Sequence, residues 1–204
     1  VGNKVKGKYF IKMYCILELN DNIKITEHKI ARYAILMEYF QGENLNLVAT
    51  KIFNQREREK QLSVYISDMC VIIYQLLLAV KIMHDFGIMH RDLKPPNILV
   101  NIDSLETKII DFGFSTNSEF SNIKIGSPLF LCPKIARKEK YNKRVDIWSL
   151  GVIIFELLTN SDNGLNNNNC PTNNGIHLNI IRHISSYSKS HVSALLNTNT
   201  SFFL

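Results

Sequence analysis

The stretch HRDLKPPN, His90 to Asn97, gathers a histidine, an arginine, an aspartate, a lysine and an asparagine around the rigid pair Pro95-Pro96. Groups of these kinds accept protons, neutralise anionic charge and bond to oxygen. The loop is too polar to belong to a core and, with two consecutive prolines, too stiff to be a random linker. A second short motif, Asp111-Phe112-Gly113, follows nineteen residues after Asp92. Taken alone, the first motif reads equally as a surface ion pair and the second as a turn after a strand. The flanking elements must decide.

Upstream, residues 9–19 and 31–40 are rich in aliphatic and aromatic residues and bracket the polar NDNIKITEHK. They read as two strands joined by a connection. Between Leu62 and Met83 apolar residues recur at helical spacing, and Gly87 in HDFG suits a left-handed cap. NILV (97–100) reads as a short strand, followed by a connection and then KIIDFGFS (108–115). The run from Asp146 to Leu158 is apolar all round, so it reads as a helix buried on every side, with Asp146 as its N-cap. Eight of the fifteen residues 160–174 are asparagine, the mark of a flexible low-complexity insert, and residues 177–197 suit one or two short helices. Strands first and mostly helices afterwards indicate an α+β fold.

Composition narrows the class. With 46% hydrophobic and 21% charged residues in 204, the chain is that of a globular domain with a real core. The net charge of +6 is partly concentrated in Lys134–Arg144, which has six basic residues and one acidic. Such a run reads as a solvated face that could favour acidic partners, and no nucleic-acid motif accompanies it. Cys15, Cys70, Cys132 and Cys170 stand far apart without metal-ligand spacing and read as reduced thiols. The start carries no signal-peptide core, and the longest apolar stretch, Met69 to Val80, is twelve residues, too short to cross a bilayer. These features lead to the expectation of a cytoplasmic or nuclear location, with no nucleic-acid partner and no membrane segment.

In order and in register, HRDLKPPNILV, DFG, GSPLF, CPK and DIWSLG, preceded by ILMEYF, resemble the catalytic core of eukaryotic protein kinases over about 120 residues. The resemblance implies a two-lobed kinase-like α+β fold: a remnant of the small lobe over 1–42 and a mostly helical large lobe over 43–204. It implies transfer of the ATP γ-phosphate to serine or threonine hydroxyls of a protein substrate, with lysine at 94 pointing to the serine/threonine branch. KIIDFGFS and ILMEYF lean toward calcium/calmodulin-type members. Catalytic roles carry over to Asp92, as base or orienter of the attacking hydroxyl, and to Lys94, as a point charge on the γ-phosphate. Asn97 and Asp111 become Mg²⁺ ligands, and the main chain of Glu38 and Phe40 with the side chain of Leu99 becomes the adenine site. Met37 falls at the gatekeeper position. His90 and Phe112 fall in a stacked spine with Met13 as candidate third member, Arg91 at a phosphate-pairing arginine, and Asp146 and Ser127 at residues that brace the catalytic loop. Ser115, Thr116, Ser118 and Ser121 become candidate phosphosites.

The pattern also departs from the family. No Gly-rich loop, Ala-x-Lys or helix-borne glutamate precedes Tyr9, which gives the expectation of an incomplete domain. Pro96 stands where the family has glutamate, Asn44 (beside Glu43) at the ribose-contact position, and Lys134 at the glutamate of Ala-Pro-Glu, whose arginine partner aligns with Phe203. These departures leave a kinase-like, catalytically inactive protein-binding module as the alternative reading. The remaining histidines (28, 84, 177, 183 and 191) read as surface or packing residues.

Overall fold

A computed structural model of the chain describes residues 7–26 and 29–159; the Asn-rich insert, the helices expected beyond it and Phe203 lie outside the described residues. The order is β1 (Met13–Thr26), β2 (Lys29–Met37), β3 (Glu43–Asn44), α1 (Leu45–Arg58), α2 (Leu62–Asp85), β4 (Ile98–Val100), β5 (Thr107–Ile109), α3 (Pro133–Ala136) and α4 (Arg144–Thr159). β1 and β2 form an antiparallel hairpin, interrupted by irregularities in register. It runs through most of the segment expected to be a polar connection. Alternation in Asn22–Thr26 and Lys29–Ala31 is enough to continue pairing once the neighbouring strand is in place.

Helix α2 is the spine of the core. Tyr65, Met69, Ile72, Ile73, Leu76, Ala79, Val80 and Met83 are buried at intervals of three and four, which puts them on one side of the helix. The helix has 24 residues, twice the apolar stretch from which the membrane argument was made, and Ser63–Asp85 is apolar enough to span a bilayer by composition. Its apolar side is occupied by α1, α4 and β5: Leu45, Val48, Ile52, Ile109, Leu150, Ile153 and Leu157 share its cluster. The Tyr65 hydroxyl donates to the buried Leu157 carbonyl at 2.7 Å, and Tyr65 meets Phe53 edge-on at 5.3 Å, so one residue joins three helices. Gln75 reaches from α2 to the β4–β5 connection, donating to the Leu105 carbonyl at 2.7 Å and accepting from the Thr107 N–H at 3.2 Å. The helix ends as its sequence requires: Gly87 adopts φ +70°, and the Ile88 N–H closes on the Met83 carbonyl at 3.0 Å.

Helix α1 had no counterpart in the sequence reading. Leu45, Val48, Ala49 and Ile52 are buried at helical spacing, and the Asn44 side chain caps the helix by accepting from the Leu47 N–H at 3.2 Å. α4 differs from expectation twice. Asp146 lies inside its first turn rather than capping it, and the Arg144 N–H is met by Asn142 instead. The helix is also not buried on every side: Ile147 and Gly151 are exposed, while Val145, Ser149, Leu150, Val152, Ile153 and Leu157 are buried.

Candidate active site

β4 and β5 set the geometry of the site. They pair antiparallel with Ile98 opposite Ile109, and the Ile110 N–H donates to the Asn97 carbonyl at 2.9 Å. Asn97, at the entry to β4, is thereby held beside the residue that precedes Asp111, at the exit of β5. Just before β4, Pro95-Pro96-Asn97 forms one 3₁₀ turn closed by Asn97 N–H to the Lys94 carbonyl at 2.9 Å. Proline at the first position suits that turn, because its fixed φ is already helical and its missing N–H has no partner to lose.

The loop side chains converge on Asp92, which is 6% exposed. Its Oδ2 faces Lys94 Nζ at 2.8 Å and Asn97 Nδ2 at 3.1 Å. Its Oδ1 accepts from the Ser127 hydroxyl at 2.7 Å, and that hydroxyl in turn accepts from Lys94 Nζ at 2.8 Å. Asp92, Lys94, Asn97 and Ser127, spread over 36 positions, thus form one closed network. Asn97 Nδ2 also donates to the Asp92 carbonyl at 2.9 Å. With its nitrogen committed twice, the amide is fixed so that Oδ1 is the atom left to face a ligand.

Two contacts hold Ser127 in place. Gly126 has φ +110°, and a Cβ there would stand 2.5 Å from the Arg91 carbonyl oxygen, so only glycine allows the chain to pass this close to the HRDLKPPN loop. Arg91 itself has φ +69°, an uncommon conformation for a residue with a side chain. The fully buried Asp146 holds it there: Oδ1 accepts from the Arg91 N–H and Oδ2 from the His90 N–H, both at 2.9 Å. His84 Nε2 lies 2.8 Å from the same Oδ2. His84, read from the sequence only as a surface or packing residue, is therefore part of the brace under the loop. Its place in the last turn of α2 is the only local hint of that.

His90 is fully buried, and its protonation follows from its partners. Nδ1 accepts from the Asp92 N–H at 3.3 Å, which leaves Nε2 to donate to the Ile110 carbonyl at 3.3 Å. Burial pushes its pKa below the usual histidine value, outweighing Asp146, the Ile110 carbonyl, Asp92 and Asp111, so the ring is neutral. Phe112 packs against it in a tilted arrangement with ring centroids 5.1 Å apart, and Phe10 packs likewise against Phe112 at 6.0 Å. The third ring is Phe10 rather than Met13, which pairs with Met37 in the hairpin. Phe10 is brought there by a parallel bridge to Ile109, a pairing that no local pattern announces.

Asp111 is exposed, with φ +57°, and its Oδ1 accepts from the Gly113 N–H at 3.1 Å. Leu99 is half-buried on β4 between Asn44 of β3 and Lys108 of β5. Glu38 follows β2, and its carboxylate takes both Lys108 Nζ and the Lys12 N–H at 2.8 Å. The Lys108 ammonium holds that carboxyl below its ordinary pKa. Phe40 follows two residues on, its ring 5.4 Å from Lys108 Nζ. At the departures from the family pattern, Asn44 spends its side chain on capping α1, Glu43 pairs with Lys51 at 2.6 Å, and Lys134 is exposed on α3.

Comparison with known proteins gives the same constellation a context. Residues 3–201 match the family model described as protein kinase domain. The chain is 35% identical over 181 residues to serine/threonine-protein kinase nekl-2 of Caenorhabditis elegans, covering 81% of this chain and 48% of that one. It is 36% identical over 153 residues to the ovarian-specific serine/threonine-protein kinase Lok of Drosophila melanogaster, covering 71% and 29%. It is 34% identical over 128 residues to serine/threonine-protein kinase CST20 of Candida albicans, covering 61% and 10%. The chain thus spans between a tenth and a half of the length of these relatives.

Proposed function

The chain belongs to the protein kinase domain family, and on that footing we propose that it transfers the γ-phosphate of ATP to serine or threonine hydroxyls of a protein substrate. The observation that carries this reading is the closed network of Asp92, Lys94, Asn97 and Ser127, with Asn97 tied through Ile110 to the base of Asp111. Phosphoryl transfer asks a protein mainly for positioning and for neutralising charge. Asp92, held by three donors, orients the incoming hydroxyl and receives its proton. Lys94, a quarter exposed, turns its ammonium from Ser127 toward the negative charge spread over the transferred group. Ser127 connects the segment from Asp111 to Ser127, which corresponds to the family's activation segment, to this pair, so a displaced segment disorganises both.

The donor set fits Mg²⁺. The fixed Oδ1 of Asn97 and the exposed carboxylate of Asp111 are hard oxygen ligands, few in number, which suits an ion that retains water. A Mg²⁺ held by these two side chains would supply positive charge to the phosphate oxygens. Asn97 and Asp111 serve to hold it, the Glu38 carbonyl and Phe40 N–H to meet adenine, and Leu99 to pack on its face. The branch names of the relatives support serine and threonine over tyrosine.

The test is incubation of the protein with Mg²⁺ and ATP labelled at the γ-phosphate in the presence of mixed protein substrates, followed by phosphoamino-acid analysis. Label on phosphoserine and phosphothreonine, lost with Asp92→Asn, is expected. Label confined to phosphotyrosine, or equal label from the Asp92→Asn protein, would overturn the proposal.

A further inference from the structure

Residues 117–144 carry seven cationic side chains against two carboxylates, Glu119 and Glu139, and so hold five of the chain's six net positive charges. We propose that this face docks acidic residues flanking the phosphorylated serine or threonine, making the enzyme selective for acidic stretches of substrate; this rests on the kinase reading above.

The placement carries the argument. Ser121 and Tyr141 exchange two backbone hydrogen bonds, at 2.9 and 2.8 Å, and the Tyr141 hydroxyl donates to the Ile123 carbonyl at 2.7 Å. The basic loop after α3 is therefore fastened to the activation segment, and the same segment ends at Ser127 against Asp92. Along extended chain, Lys124 and Ser121 lie at most about 10 and 20 Å from Ser127. A substrate whose hydroxyl meets Asp92 would lay residues about three to six positions away across this loop.

The available charge is unequal. Glu139 is engaged by Arg137, Lys140 lies over the Phe120 ring at 4.2 Å, and Lys143 donates to the His84 carbonyl at 3.2 Å. Lys124, Lys134, Lys138 and Arg144 are exposed. On the catalytic loop itself the exposed position between Lys94 and Asn97 is Pro96, which offers no carboxylate to a basic substrate. An ordinary solvated face balances its signs; this one sets seven cations against two carboxylates, and it is pinned to the segment that reaches the catalytic carboxylate. The exposed aromatic Phe120 is covered by Lys140 rather than open for base stacking, which favours a peptide over a nucleic acid.

The experiment compares two serine peptides, one with glutamates and one with lysines three to six positions from the acceptor, at low and high salt. The acidic peptide is expected to have a kcat/KM roughly tenfold higher at low salt, converging at high salt, as several exposed ion pairs would give. The triple variant Lys124→Glu, Lys138→Glu, Arg144→Glu is expected to invert the preference while melting like the parent. Binding of acidic peptides with alanine at the acceptor, followed by fluorescence anisotropy, reads docking without catalysis. Absent transfer with charge-dependent peptide binding would remove the kinase reading and keep the docking surface. Transfer to both peptides alike, with no binding preference, would overturn the inference and leave the kinase reading standing. Tighter binding of a single-stranded RNA of equal charge than of the acidic peptide would overturn it as well.

Discussion

Replacing Asp146 tests whether one buried carboxylate shapes the catalytic loop. It accepts from the N–H groups of His90 and Arg91 at 2.9 Å and faces His84 Nε2 at 2.8 Å, entirely out of solvent. Asp146→Ala strands two backbone donors, each costing about 1–3 kcal/mol when left unmet, and removes a charged partner of His84. Release of Arg91 from its φ of +69° returns roughly 1 kcal/mol. The net expectation is a loss of about 3–5 kcal/mol, a large part of the roughly 5–15 kcal/mol that holds a domain together. Asp146→Asn keeps the shape and one oxygen for Arg91, but sets an amide nitrogen against the His90 N–H, so about 1–3 kcal/mol should be lost. Equilibrium unfolding in urea gives the ranking, and amide hydrogen exchange at residues 90 and 91 locates it. Stability within about 1 kcal/mol of the parent for the alanine protein, or unchanged exchange at those two amides, would refute the reasoning.

Other expectations follow from the same geometry. Gly126→Ala places a methyl 2.5 Å from the Arg91 carbonyl at φ +110°, so it should cost at least about 1–2 kcal/mol in urea unfolding and lower transferase activity at least tenfold. Ser127→Ala removes the hydroxyl that bonds both Lys94 and Asp92, leaving only their direct contact, and should lower kcat about tenfold or more, whereas Ser127→Thr, which keeps the hydroxyl, should recover most of it. His90 has a depressed folded pKa, so below the unfolded value near 6.5 the unfolded chain binds more protons. Stability should therefore be fully present above that pH and fall as pH drops below it. His90→Phe should flatten that part of a melting-temperature profile.

Much of the site was legible because its chemistry is local. HRDLKPPN and DFG are contiguous, and the antiparallel pairing of Ile98 with Ile109 needs only two short apolar runs to bring Asn97 toward Asp111. What was missed depends on distant partners. Phe10 completes the row of rings through a bridge to Ile109, 99 residues away. At Asp146 the local pattern reads as an N-cap, and only the family resemblance, not any neighbouring residue, pointed to the bonds it accepts from the His90 and Arg91 N–H groups. Helix α1 is a different case: Leu45, Val48, Ala49 and Ile52 had the right spacing, but the asparagine, threonine and glutamine among them masked it. It packs on β4 and on α2, the elements that flank the HRDLKPPN loop.

The central claim, that Asp92 positions a substrate hydroxyl for attack on a nucleotide's terminal phosphate, is tested most directly by separating nucleotide binding from transfer in Asp92→Asn. Magnesium–ATP affinity should stay within about threefold of the parent, while single-turnover transfer to a serine peptide should fall by about 10²–10⁴. Transfer at the parent rate would contradict the account, as would an affinity loss large enough to explain the whole defect.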